Sequence, residues 1–164
     1  MPKILAALLA AALLAACTPP QAPPKAPAPE DYRYLRATTA MPFEDVVQFV
    51  EVAITDRGYK IDNHAYIGRM LERTKEALGE TETVYLNAQQ FRFCPARYSR
   101  NMLSADPHNI VFCPYIINVY NLPAEPGKTY VSFRRPLIVG SEASKQALAA
   151  VDKLLTEIID EALQ

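Results

Sequence analysis

The chain of 164 residues lacks tryptophan, has only five glycines and two histidines, and carries almost balanced charge. Scarce glycine excludes a glycine-rich phosphate-binding loop, which needs several glycines close together. Seventeen basic residues stand against eighteen acidic ones, for a formal net charge of −1. Such a balance provides no long-range attraction for nucleic-acid phosphates, so we expect no nucleic-acid partner.

Patterns that identify common catalytic sites are missing as well. No serine lies in a Gly-x-Ser-x-Gly turn. Acidic residues are scattered along the chain, and no pair stands out for glycan hydrolysis. We therefore expect a binding role without a cofactor, although the sequence leaves enzymatic activity open.

Long hydrophobic runs are absent too. The longest apolar stretch, Ile4–Leu14, has 11 residues, whereas a transmembrane helix needs about 20. Lys3 precedes this stretch, and two alanines separate it from Cys17. This pattern resembles a secretory signal ending in the lipobox of bacterial lipoproteins. The resemblance implies that residues 1–16 are a signal peptide and that Cys17 is the acylated residue.

A proline-rich segment follows Cys17. Six of the thirteen residues from Thr18 to Glu30 are proline, which favours extended polyproline II backbone over helix or strand. We interpret residues 17–30 as the lipidated cysteine and a tether. Thr18 after the cysteine favours the outer membrane over the inner one. The sequence thus predicts an envelope protein that is lipid-anchored to a membrane, with a domain facing the periplasm.

Residues 31–164 show alternating strand and helix signals that predict one α+β domain. Strands are expected at Tyr32–Thr38, Tyr59–Ile61, Thr83–Ala88, Tyr115–Asn121 and Thr129–Arg134. Tyr115–Asn121 is rich enough in β-branched residues to be covered on both faces, and Thr129–Arg134 is its expected hairpin partner.

Helices are expected after Pro42, after the cap Asp62 or Asn63, and over Glu142–Leu163, with a helix or structured loop at Pro95–Leu103. In the second helix Ile67, Met70, Leu71 and Leu78 are expected to face inward. The fold class is a two-layer sandwich of about five strands with helices mainly on one face.

Three stretches of this order resemble the domain of unknown function 302 family. They are Asp56–Tyr59 with the turn Asp62–His64, then Thr83–Ala88, and finally Cys113–Tyr120 with Gly127–Phe133 and Pro136. The resemblance covers roughly residues 40–136. It implies a small α+β sandwich, for which the family provides no established function. It also makes His64 a candidate pocket residue.

Two cysteines remain once Cys17 is lipidated. In an oxidising compartment, Cys94 and Cys113 are expected to form one structural disulfide. By reducing the conformational entropy of the unfolded chain, such a disulfide would raise the free energy of unfolding by about 3 kcal/mol. Two free buried thiols and a redox-active pair are the alternatives. A metal site of Cys94, Cys113, His64 and His108 is not expected, because zinc ligands of that kind usually come in close pairs.

Arginines near Cys94 and at the last hairpin strand are candidates for binding an anion. The guanidinium fork of Arg97, Arg100 or Arg134 suits a carboxylate or phosphate, and solvated surface arginines are the alternative. A pocket or apolar patch is expected near Cys94–Asn109. The leading hypothesis is an envelope lipoprotein that binds a small anionic ligand or an envelope protein. The alternative is a periplasmic redox or metal-binding protein that uses Cys94 and Cys113.

Overall fold

The computed structural model describes residues 34–164, which form a five-stranded antiparallel sheet with four α-helices and two short 3₁₀ turns. The strands are β1 (Tyr34–Thr39), β2 (Ile61–Ala65), β3 (Asn87–Phe93), β4 (Tyr115–Asn121) and β5 (Thr129–Arg134). The helices are α1 (Phe43–Thr55), α2 (Ile67–Thr74), α3 (Ala96–Ala105) and α4 (Glu142–Ala162), and the 3₁₀ turns span Glu76–Leu78 and Pro107–Phe112. The predicted signal peptide and tether lie outside these residues.

The strand order in the sheet is β1-β5-β4-β3-β2, with every neighbouring pair antiparallel. The predicted hairpin of β4 and β5 is confirmed, with Val119 opposite Val131. The predicted fold class, a two-layer α+β sandwich, is therefore confirmed.

One face of the sheet and the helices α1 and α4 enclose the hydrophobic core. Helical spacing puts the apolar residues of α1 and α4 on inward stripes, as the sequence predicts. The largest fully buried side chains include Phe91, Phe93, Phe133, Ile54, Ile117, Leu148, Ile158 and Ile159. The members of this set that lie on strands, Phe91, Phe93, Ile117 and Phe133, alternate with residues on the opposite face of the sheet, and that opposite face carries the candidate site.

The segment between the two cysteines is anchored to this core. Met102 of α3 is fully buried, and Asn109 is 3% exposed. The Asn109 side-chain amide donates to the Met102 carbonyl at 3.1 Å and to Ser144 Oγ at 2.9 Å. These contacts join α3 and the following 3₁₀ turn to the start of α4.

Several predicted elements are wrong in position. The third strand is Asn87–Phe93 rather than Thr83–Ala88, and the second is Ile61–Ala65 rather than Tyr59–Ile61. Helix α2 begins at Ile67 and has no buried residue, with Met70 41% exposed. Leu78 lies beyond α2, in the 3₁₀ turn Glu76–Leu78, and is 72% exposed. Strand β4 is covered on one face only, since its burial alternates and Ile116 is 37% exposed.

Within residues 34–164, no helix combines the length and apolar character that crossing a membrane requires.

Candidate functional site

A ladder of polar side chains crosses the uncovered face of the sheet. Gln90 on β3, Asn118 on β4 and Ser132 on β5 are register neighbours. Gln90 Nε2 donates to Asn118 Oδ1 at 2.7 Å, and Asn118 Nδ2 donates to the Ser132 carbonyl at 3.1 Å. We call these three residues the polar ladder. Their amide and hydroxyl groups can both donate and accept, so they can orient a polar ligand.

Tyrosine rings border the polar ladder on one side, which we call the tyrosine side. Tyr120 lies two residues beyond Asn118 and therefore on the same face. Its ring stacks on Tyr130 at 5.1 Å between centroids and meets Tyr85 edge-on at 5.6 Å. The Tyr130 hydroxyl donates to the Glu125 carboxylate. Stacking and this hydrogen bond hold the tyrosine side in place.

Arg134 lies on the other side of the ladder. It follows Ser132 by two residues on β5, so it occupies the same sheet face, and its side chain is exposed. One guanidinium nitrogen donates to the Val111 carbonyl at 3.4 Å. This bond joins the guanidinium to the 3₁₀ turn Pro107–Phe112 and uses one of its five N–H groups.

Together these groups line a groove of about 490 Å³, which we call the sheet-face groove. The lining includes Tyr85, Tyr120, Arg134 and the polar ladder, and among the described lining residues Arg134 alone is charged. A second cavity of about 270 Å³ shares Gln90, Asn118 and Arg134 and continues towards Phe112 and Pro136. Volumes of this order suit a small molecule.

Of the predicted ligand residues, Arg134 alone lines the sheet-face groove. Arg97 lines a separate cavity of about 250 Å³ with Tyr98 and with Ala147 of α4, so the pocket expected near Cys94–Asn109 exists, but it is the smaller one. Arg100 is exposed on α3. The structure therefore does not bring Arg97 and Arg134 into one cavity.

The sequence predicts a turn at His64, but the residue lies on strand β2. A register shift between Ile61 and Asn63 places it opposite Phe91. Its ring stacks between Phe91 at 4.3 Å and Tyr66 at 4.7 Å, and Nε2 lies 2.6 Å from Gln89 Oε1, which accepts the hydrogen bond. These contacts use the ring to join β2 to β3.

The two cysteines meet at one end of the sheet. Cys94 follows β3 and Cys113 lies two residues before β4, and their Sγ atoms are 2.6 Å apart with both thiols free. Burial, together with the neighbouring Cys94 sulfur, raises the pKa of the Cys113 thiol to about 11. Burial likewise raises the pKa of Tyr115 to about 12. The predicted disulfide is not formed here, and it stays a prediction.

Residues 34–164 do not gather three or more His, Cys, Asp or Glu side chains in the way that a metal site requires. The predicted metal alternative therefore gains no support from the described residues. His108 donates its backbone N–H to Asp106 Oδ1 at 2.9 Å, as part of the cap of the 3₁₀ turn.

Sequence reasoning missed the polar ladder. A signal was present for two of its members, because Asn118 and Ser132 each stand between apolar residues of a strand, whereas Gln90 follows another glutamine. An isolated polar residue in such a strand points away from the core and marks the opposite face. What the sequence did not show is that Gln90, Asn118 and Ser132 would be neighbours, which depends on strand order and register.

Comparisons with known proteins give a family and a fold. A family model described as "Domain of unknown function DUF302" matches residues 35–163. The crystal structure of an uncharacterized conserved DUF302 protein from Bacillus stearothermophilus is similar, with a TM-score of 0.66 and 16% sequence identity over 80% of this chain and 98% of that one. At that identity the similarity shows the fold alone. No curated protein matches the chain significantly.

Proposed function

The chain belongs to the DUF302 family, and we propose from its own residues that it is a bacterial envelope lipoprotein whose domain binds a small anionic ligand in the sheet-face groove. The observation that carries the binding proposal is the arrangement of Arg134, the polar ladder and the tyrosine side around one cavity of about 490 Å³. The proposal is of binding rather than catalysis.

The groove's chemistry defines the class of ligand. The planar guanidinium of Arg134 suits a carboxylate or phosphate. Gln90 and Asn118 offer amide groups beside it, and Tyr85 and Tyr120 offer ring surface to an apolar or planar part. We therefore propose a small molecule with an acidic group at one end and a flat or apolar body.

The envelope proposal is supported by the first residues of the chain. Lys3, the short apolar run and the small residues before Cys17 suit secretion, processing and acylation at that cysteine. Several acyl chains on one residue give durable anchoring, which a single chain does not. Thr18 favours the outer membrane, with the domain in the periplasm.

Binding is tested by NMR titration of the ¹⁵N-labelled protein with benzoate, and separately with inorganic phosphate. We expect benzoate to shift the side-chain amide signals of Gln90 and Asn118. Arg134→Gln should weaken benzoate binding by about three- to tenfold, the effect of one charge-assisted hydrogen bond at a partly open site.

Arg97→Gln and Arg100→Gln are the matched controls, because both remove one exposed arginine outside the groove. Each should change the affinity for benzoate by no more than about twofold, because an exposed arginine outside the groove contributes little to binding inside it. Equal weakening by all three substitutions would indicate non-specific charge attraction and contradict the proposed site. Unshifted amide signals with both probes would also contradict it.

Lipidation is tested by mass spectrometry of the protein extracted from bacterial membranes. The expected N-terminal residue is an acylated Cys17. Cys17→Ala should abolish the acyl mass and release the protein from the membrane fraction, whereas the control Cys94→Ala should leave both unchanged. An intact N-terminus without acyl groups in the unaltered protein would overturn the lipoprotein proposal and leave the groove proposal standing.

A further inference from the structure

The sheet topology brings Cys94 and Cys113 together although 18 residues separate them in the chain. Strands β3 and β4 are neighbours, and Phe93 at the end of β3 pairs with Tyr115 at the start of β4. Cys94 leaves β3 at the same end of the sheet where Cys113 approaches β4. The 2.6 Å between the two Sγ atoms follows from this pairing. A bond between them therefore needs little movement of the backbone.

The two thiols differ in access to solvent. Cys94 is exposed, whereas Cys113 is partly buried. Burial and the Cys94 sulfur raise the pKa of Cys113, so its thiolate is scarce at neutral pH. Ser99 Oγ lies 3.1 Å from Cys94 Sγ and 4.0 Å from Cys113 Sγ, and so contacts both sulfurs. An external reagent meets Cys94 first.

Non-covalent contacts anchor the segment between the cysteines. Met102 is fully buried, and the Tyr115 hydroxyl lies 3.8 Å from its sulfur. Asn109 links the same segment to Met102 and Ser144 through two hydrogen bonds. Because these contacts join α3 and its 3₁₀ turn to the core, we expect a disulfide here to open without loss of the fold.

We propose that Cys94 and Cys113 form a thiol–disulfide exchange site whose substrate is the disulfide of another protein or of a small thiol compound. This site lies apart from the sheet-face groove and does not depend on the proposed ligand-binding function. Its assignment rests on the juxtaposed sulfurs, their unequal exposure and the non-covalent anchoring of the segment between them.

The exchange proceeds in two balanced steps. The Cys94 thiolate attacks one sulfur of the external disulfide, a mixed disulfide forms at Cys94, and the first external thiolate leaves and takes up a proton. Cys113 then loses its proton and attacks Cys94 Sγ, which releases the second external thiol. The two cysteines are oxidised to one disulfide, and the external disulfide is reduced to two thiols.

The test treats the reduced full-length protein with oxidised glutathione and locates the products by peptide mass spectrometry after alkylation. The unaltered protein should form the Cys94–Cys113 disulfide, and reduced glutathione in excess should return it to two thiols. A native disulfide that resists reduced glutathione would be structural and would overturn the proposal. Failure of oxidised glutathione to produce the disulfide would overturn it as well.

A pair of matched variants tests the order of the steps. Cys113→Ser should accumulate a glutathione adduct at Cys94, because the resolving thiol is missing. Cys94→Ser should accumulate the adduct at Cys113 at least about tenfold more slowly, since its thiolate is scarce. Equal rates in the two variants would contradict the assigned roles. The reversible cycle in the unaltered protein is measured independently of how either variant folds.

Discussion

Gly68 packs directly on the backbone of Ala88, so closely that a Cβ at Gly68 would lie 2.8 Å from the Ala88 amide nitrogen. Helix α2 has no buried side chain, and this approach brings it against β3. We expect Gly68→Ala to destabilise the protein by about 1–3 kcal/mol, because the clash with backbone outweighs the better helix propensity of alanine. The free energy of unfolding in urea measures the effect.

The matched control is Gly127→Ala in the turn between β4 and β5. Nothing lies within 4 Å of a Cβ at Gly127, and the residue is exposed. The control should change stability by no more than about 0.5 kcal/mol. If Gly68→Ala changes the unfolding free energy no more than Gly127→Ala does, α2 does not pack on β3 in this way.

Elements with strong helical or hairpin periodicity could be predicted from the sequence, and strand β3 could not. Val46, Val50 and Ile54 of α1 are buried, as their spacing of four residues predicts for one face of a helix. Strand β3, in contrast, has two adjacent glutamines at its centre, which are not among the β-branched and aromatic residues that favour strands. Its pairing with β2 and β4 on both sides outweighs that local preference, and Thr83–Leu86, a better strand by propensity, lies outside it.

The unequal burial of two leucines leads to a prediction about stability. Leu148 is fully buried between α4 and the sheet, and Leu78 is 72% exposed. Leu148→Ala should cost about 2–5 kcal/mol of unfolding free energy, since it leaves a cavity in the core. Leu78→Ala should cost less than about 0.5 kcal/mol. Thermal or urea unfolding of both variants provides the comparison, and similar losses would mean that Leu78 is buried after all.

The candidate site was only partly accessible to sequence reasoning. Arg134 could be named because an arginine at the end of a strand is visible in the sequence. Its partners could not, because Gln90 and Asn118 become neighbours only through the register of β3 and β4. The sequence predicts a turn at His64, because the register shift between Ile61 and Asn63 that places it on β2 cannot be recognised from the sequence pattern.

Asn109 and Ser144 should be energetically coupled. Asn109 Nδ2 lies 2.9 Å from Ser144 Oγ, and both residues are buried. Asn109→Ala should destabilise by about 1–3 kcal/mol, because it leaves the Met102 carbonyl and the Ser144 hydroxyl without this donor. A double-mutant cycle with Ser144→Ala should give a coupling energy of about 0.5–3 kcal/mol. Strictly additive losses would show that the hydrogen bond does not contribute.

The raised pKa values at the cysteine end of the sheet predict a loss of stability in alkali. Tyr115 has a pKa of about 12 in the folded protein against an ordinary value of 10.0, and Cys113 about 11 against 9.0. Between pH 9 and 12 the folded state therefore keeps protons that the unfolded state has lost. Since the folded state binds more protons, the free energy of unfolding falls as the pH rises through this window.

The variant Tyr115→Phe shows how much of the stability lost in alkali is due to the Tyr115 hydroxyl. The variant keeps the buried ring and removes the hydroxyl, so its unfolding free energy should fall less steeply between pH 10 and 12 than that of the unaltered protein. Urea unfolding of the reduced proteins at a series of pH values measures the slopes. Tyr66→Phe, at a tyrosine that is 41% exposed, is the control and should keep the original slope. An unchanged slope in Tyr115→Phe would mean that the Tyr115 hydroxyl is solvated in the folded protein.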